Sequence, residues 1–92
     1  MIAFAEITLY APWVHSLKEK RMVVKSLVAK LRNHFNVSAA ETGGQDVHQT
    51  IVIGIAALAG DTAQADSILD YAIRFLEENT EAEITNVSRE IR

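Results

Sequence analysis

Two tetrapeptides decide where helices can start in this chain: Ser16-Leu17-Lys18-Glu19 and Asp61-Thr62-Ala63-Gln64. In each, a short polar side chain accepts from a free N–H of the first helical turn, and the Glu or Gln three residues on can reach back to the cap. Each follows an apolar run of β character and heads an amphipathic one, so the chain divides into two strand-then-helix units.

The first run, Ile2 to Tyr10, places Ala3, Ala5, Ile7 and Leu9 on one face and Phe4, Glu6, Thr8 and Tyr10 on the other. Ala11-Pro12-Trp13-Val14-His15 breaks this alternation, and a helix is expected from Leu17. At 100° per residue, Leu17, Val24, Leu27, Val28, Leu31 and Phe35 share one side, while Lys18, Arg21, Lys25 and Arg32 gather on an adjoining stripe. Lys20 falls near the apolar side and Lys30 near its opposite edge, so both are expected to lay their stems along apolar surface before reaching water.

Phe35 to Thr42 reads as extended, Gly43-Gly44-Gln45-Asp46 as a turn, and about Gln49 to Leu58 as a second arm, giving a hairpin over residues 36–58. In that arm Ile51, Ile53, Ile55 and Ala57 share one face, and Thr50, Val52, Gly54, Ala56 and Leu58 the other. Both faces are apolar, as a central strand requires. The second helix should run from Asp61 to about Asn79, burying Ala65, Ile68, Leu69, Ala72, Ile73 and Leu76. Glu83 to Val87 offers a short last strand, in which the placement of Ile84 and Val87 breaks strict alternation and leaves the register open.

The order βαββαβ predicts an α+β, ferredoxin-like domain over residues 1–92, with two helices on one face of a four-stranded antiparallel sheet. The other sheet face is left open, with Phe4, Tyr10, Val52, Ala56 and Leu58 on it. That face is apolar enough for a second copy to cover, so a homodimer is expected, with scattered exposed apolar residues as the ordinary alternative. At 92 residues and 49% hydrophobic composition there is room for one core and no second domain. The absence of cysteine excludes disulfides, thiolate metal sites and a cysteine nucleophile, and it suits a reducing cytoplasm. The longest apolar stretch, Ile51 to Ala59, is far below the roughly 20 residues of a membrane-spanning helix, so no membrane partner is expected. The N-terminus, with Glu6 inside its apolar run, reads as a strand and not a leader.

Charge is distributed unevenly. Residues 15–34 hold six of the nine Lys and Arg residues and one of the twelve acids, against a net charge of −3 for the whole. A basic helix on an acidic domain is a landing site for phosphates, and Lys18, Arg21, Lys25 and Arg32 are the residues to carry it, with His15, Asn33 and His34 adding hydrogen bonds at the two ends. A solvated helix face is the ordinary alternative, and pairing with the domain's own acids, Glu41 or those between Asp61 and Asp70, is another. Trp13, just before the helix, can stack on an unpaired base or cap the edge of the core. Glu41, Asp46 and His48 flank the Gly43-Gly44 turn, where local hydrogen bonding is the ordinary role and a metal or proton-transfer site the rarer one. No Walker loop, GxSxG, HExxH or HxxxH is present, no cofactor is implied, and an enzyme is the least favoured reading. Acylphosphatases share the expected topology, but the loop Ala11 to His15 lacks the glycine and arginine of a phosphate cradle.

The set Ser16-Leu17-Lys18-Glu19-Lys20-Arg21, Lys25-Ser26-Leu27, Phe35-Asn36-Val37-Ser38, Glu41 and Gln45-Asp46 resembles the YlxP-like family, bacterial proteins grouped under a domain of unknown function. The resemblance covers nearly the whole chain. It implies a ferredoxin-like fold, a cytoplasmic location and a genomic setting among translation genes, and no established reaction. Gly43-Gly44 departs from the bulkier residues common there and implies a more mobile loop. With the basic stripe, the resemblance favours a non-enzymatic cytoplasmic module associated with ribosomal RNA or a ribosomal subunit. The alternative is a homodimeric protein-interaction or ligand-sensing module that works through the open sheet face.

Overall fold

The computed structural model describes residues 1–92. The elements are β1 (Ile2–Tyr10), α1 (Leu17–His34), β2 (Ser38–Gly43), β3 (Thr50–Leu58), α2 (Thr62–Glu78) and β4 (Glu83–Ile91). The strands form one sheet in the order β2-β3-β1-β4 with every neighbouring pair antiparallel, which is the ferredoxin-like arrangement expected from the element order.

Both helix starts are capped by the expected Ser16 and Asp61 side chains, while Glu19 makes no return bond to Ser16 N–H. Ser16 Oγ accepts from Glu19 N–H at 3.1 Å, and Asp61 Oδ1 accepts from Gln64 N–H at 2.8 Å. At the second cap Gln64 Oε1 accepts in return from Gly60 N–H, tying the incoming loop to the first turn.

Both helices pack on the inner sheet face. Ala3, Ala5, Ile7, Leu9, Ile51, Ile53 and Ile55 are fully buried there, together with Leu31 of α1 and Ala65, Leu69, Ala72 and Leu76 of α2. Small residues line the sheet where α2 lies closest. Ala3, Ala5, Ala59, Ala65 and Leu69 form a separate small cluster, while the branched residues of β1 and β3 build the larger core with Val24, Leu27 and Leu31 of α1 and Ala72 and Leu76 of α2.

Two strand boundaries differ from expectation, each for a local reason. β2 begins at Ser38 and not Phe35, because Phe35 is the C-cap of α1, with its N–H bonded to Leu31 O, and its ring stands edge-on to Phe75 at 5.4 Å. β4 continues to Ile91 and not only to Val87. Its uneven pattern comes from an irregularity at Thr8/Leu9: Ile84 pairs with Leu9 and Val87 with Ile7, so two core-facing residues three apart both meet the inner face across one extra residue, Thr85. The Thr85 hydroxyl donates to Thr8 O at 3.3 Å.

On the outer sheet face, Thr42 of β2 crosses toward β1 and donates to Glu6 Oε2 at 2.9 Å. It passes over Gly54, where an added Cβ would sit 2.5 Å from the Thr42 methyl. No helix of the fold is long and apolar enough to cross a membrane.

Candidate polyanion-binding face

The basic residues of α1 separate into two groups by what their side chains meet. Lys20 is 2% exposed. Its ammonium group donates to Gly44 O and, at 2.8 Å, to Val47 O, and it lies 3.2 Å from the Glu41 carboxylate. The expectation that its stem runs along apolar surface holds, but the head does not reach water. The loop between β2 and β3 folds over it and supplies two carbonyls and one carboxylate instead. Gly44 makes this closure possible by taking φ +66°, a left-handed conformation suited to glycine. Glu41 Oε2 accepts no aligned hydrogen bond, so its link to Lys20 is chiefly coulombic.

Lys18, Arg21, Lys25 and Arg32 are all exposed, and none is hydrogen-bonded or within salt-bridge distance of an acid. Three of the acids expected to compete for them are engaged elsewhere. Glu41 faces Lys20, while Asp66 and Asp70 of α2 are held by Arg89 of β4 at 3.3 Å and 2.5 Å. At about 1.5 Å of rise per residue, the stripe from Lys18 to Arg32 is about 21 Å long. It therefore presents an uncompensated positive edge to solvent beside an otherwise acidic domain.

The other expected residues lie at different places. His15 is exposed at the entrance to α1, where it shares an open cleft of about 500 Å³ with Asp46 and His48 from the β2–β3 loop. Asn33 is exposed near the far end of the stripe, and His34 is stacked on Phe75 with ring centroids 4.4 Å apart and 13° between planes. Trp13, 40% exposed, lines a groove with Met22, Ser26 and Lys30 of α1 and Thr80 beyond α2. That groove is on the flank of α1 away from the stripe, roughly a third of a turn around the helix. Lys30 donates to Asn79 O at 3.5 Å across the same flank.

Phe4, Tyr10 and Val52 lie on the outer sheet face, where Glu6 and Thr8 separate Phe4 from Tyr10 along β1. The ring of Phe4 is covered on one side by the Arg92 guanidinium at 5.1 Å. At the same edge the Arg92 guanidinium, through a hydrogen bond and its charge, holds the Glu90 carboxyl below its ordinary value, and Glu90 raises Arg92 in return. Nowhere do three His, Asp or Glu side chains converge in a way that could hold a metal ion. Glu41, Asp46 and His48 are split between the Lys20 pair and the cleft.

Sequence reasoning missed the structural part played by Lys20. One signal for it was present: a lysine on the apolar side of a helix, in a chain where Gly-Gly allows a nearby loop to turn its carbonyls inward.

Comparison with known proteins bears on the fold and the family. A solved structure described as "Structured Domain of Drosophila melanogaster Boca" superposes with a TM-score of 0.53 over 97% of both chains at 15% identity, a likeness of fold alone. The "Uncharacterized protein YlxP" of Bacillus subtilis (strain 168) is 39% identical over 85 residues, 92% of each protein. The family model described as "Protein of unknown function (DUF503)" matches residues 2–89. With its sequence matched over that span and its fold that of a ferredoxin-like sheet, the chain belongs to the DUF503 family of YlxP-like proteins.

Proposed function

We propose that this protein is a non-enzymatic module of the bacterial cytoplasm that associates with ribosomal RNA, free or within a ribosomal subunit, through the outer flank of α1. The observation that carries this reading is the set of four unpaired cations, Lys18, Arg21, Lys25 and Arg32, on a domain in which Glu41 already faces Lys20 and Asp66 and Asp70 already face Arg89. Ion pairs within the fold would have to be broken before a polyanion could use those charges, and here none needs to be. Neutralising phosphates releases counterions, so the attraction is strong at low salt and independent of base sequence.

Co-sedimentation with purified ribosomal subunits across a salt series tests this, with an Arg21→Glu/Lys25→Glu variant alongside. If all four cations engage single-stranded phosphates, affinity falls by about 2.8 log units per log unit of salt. The variant then binds weakly with a shallower slope. No complex at low salt, or equal binding by the variant, rejects the basic flank as the site.

A second reading rests on the outer sheet face. Leu58 at its rim is 83% exposed, and Phe4, Ala40 and Ala56 line a shallow hollow of about 210 Å³ between β1, β3 and β2. In this reading a second copy covers the hollow, and the homodimer is the working unit.

A further inference from the structure

The cleft at the entrance to α1 belongs neither to the basic stripe nor to the core. Its walls come from two connections, with Tyr10 and His15 on the β1–α1 side and Asp46, Val47, His48 and Gln49 on the β2–β3 side. These connections are tied to each other and to the helix. Ala11 N–H donates to Gln49 O at 2.8 Å, the Gln49 side-chain amide donates to Pro12 O at 2.9 Å, and Lys20 holds the Gly44 and Val47 carbonyls from beneath. Connections tied this way hold their backbones in place before a ligand arrives, which lowers the ordering entropy lost on binding.

The lining narrows the ligand. A phenol ring 40% exposed and the exposed side chain of Val47 provide apolar area for a flat ring. Two imidazoles, His15 and His48, can donate to anionic oxygens, and His15 directly precedes the N-cap of α1, the positive end of the helix dipole. The Asp46 carboxylate is acceptor-only, which disfavours a bare anion and favours a ligand that also carries hydroxyl or amino donors. The His and Asp side chains do not converge as a metal site. A flat ring, an anionic group and hydroxyl donors together describe a ribonucleotide. Lys18 and Arg21, at the start of the basic stripe, follow His15 by three and six residues along the chain.

We infer that the cleft between the β1–α1 and β2–β3 connections holds one unstacked ribonucleotide of a bound RNA strand, with its base against Tyr10, its phosphate near His15 and His48, and its ribose hydroxyls facing Asp46. This rests on the RNA-binding reading of the α1 stripe and supplies what the stripe lacks, a means of telling RNA from other polyanions.

The test is fluorescence anisotropy with a labelled oligouridine 12-mer and its deoxyuridine counterpart, using the full chain, His15→Ala/His48→Ala, Asp46→Asn and Lys25→Glu, each checked for folding by circular dichroism. The wild type is expected to bind the RNA at least fivefold more tightly than the DNA. The double histidine variant should lose about tenfold in RNA affinity with its salt slope unchanged, Asp46→Asn should lose the RNA preference, and Lys25→Glu should lower the slope by about 0.7. In a parallel NMR titration, millimolar uridine monophosphate should shift the His15 and His48 ring signals. RNA binding that depends on Lys25 but is the same in the histidine and Asp46 variants overturns the nucleotide cleft and leaves the stripe standing. Absence of RNA binding in the wild type overturns both, and equal competition by polyglutamate shows a site for any polyanion and overturns the cleft assignment.

Discussion

The ammonium group of Lys20 and the carboxylate of Glu41 lie 3.2 Å apart beneath the β2–β3 loop, with the lysine side chain 2% exposed and the glutamate 22%. One cation of the basic helix is thereby used inside the fold, where it joins α1 to β2 and closes a glycine turn. The remaining cations point outward.

Removing Lys20 alone should destabilise the domain strongly. Lys20→Met leaves Glu41 without its counter-charge and two carbonyls without their donor, a loss of about 3 kcal/mol. The double variant Lys20→Met/Glu41→Leu should recover much of it, because replacing both members of a buried pair removes the stranded charge. Urea unfolding of the three proteins at constant m-value measures the difference.

Gly54→Ala should destabilise by about 1–2 kcal/mol, as overpacking does elsewhere. The new methyl would meet the Thr42 side chain, and turning that side chain away breaks its hydrogen bond to Glu6. In a Thr42→Ala background the same change should be nearly neutral, so a double-mutant cycle in thermal unfolding should show a coupling close to the full single-variant loss.

Charge reversal at Arg21 and Lys25 should leave the fold unchanged. Both are exposed and unpaired, and such substitutions alter stability by about 0.5 kcal/mol or less. A normal unfolding midpoint combined with lost ribosomal-subunit binding would separate recognition from folding. A large drop in midpoint would assign these residues a structural role instead.

Replacing Phe4 and Val52 with glutamate should turn a dimer into a monomer in light scattering if the outer sheet face joins two copies. Observation of a monomeric wild type at high concentration would end that reading. Phe4→Glu also removes the ring beneath the Arg92 guanidinium, so Val52→Glu alone is the cleaner probe.

Glu90 provides a pH signature. Arg92 lowers its pKa, so its contribution to stability is present above the ordinary carboxylate value and is lost as pH falls through the lowered one. The difference in unfolding midpoint between wild type and Glu90→Gln should therefore be constant at neutral pH and vanish in acid. Both side chains are exposed, so added salt should shrink it at every pH.

Much of the fold was legible in local pattern. Alternation in Ile2 to Tyr10, the caps at Ser16 and Asp61, and the two helical stripes each depend on residues a few positions apart, and such short-range geometry is written directly in sequence. The start of β2 and the length of β4 were less legible, since Phe35 is drawn off the strand by Phe75, forty residues away, and the register of Ile84 and Val87 depends on an irregular pairing with β1. Of the candidate site, the stripe of Lys18, Arg21, Lys25 and Arg32 was visible from helical periodicity alone.

The sequence by itself determined the element order, the sheet face that is buried, and the helix that carries the positive charge, because all three follow from periodicity and capping. Only the tertiary structure decided which charges are free. Whether a lysine faces water or a pair of carbonyls depends on where a loop twenty-four residues away turns back, and whether Asp66 and Asp70 are available depends on Arg89 in the last strand. Electrostatic partners in this chain are set by distance in space across strands and helices, and no local pattern encodes that distance.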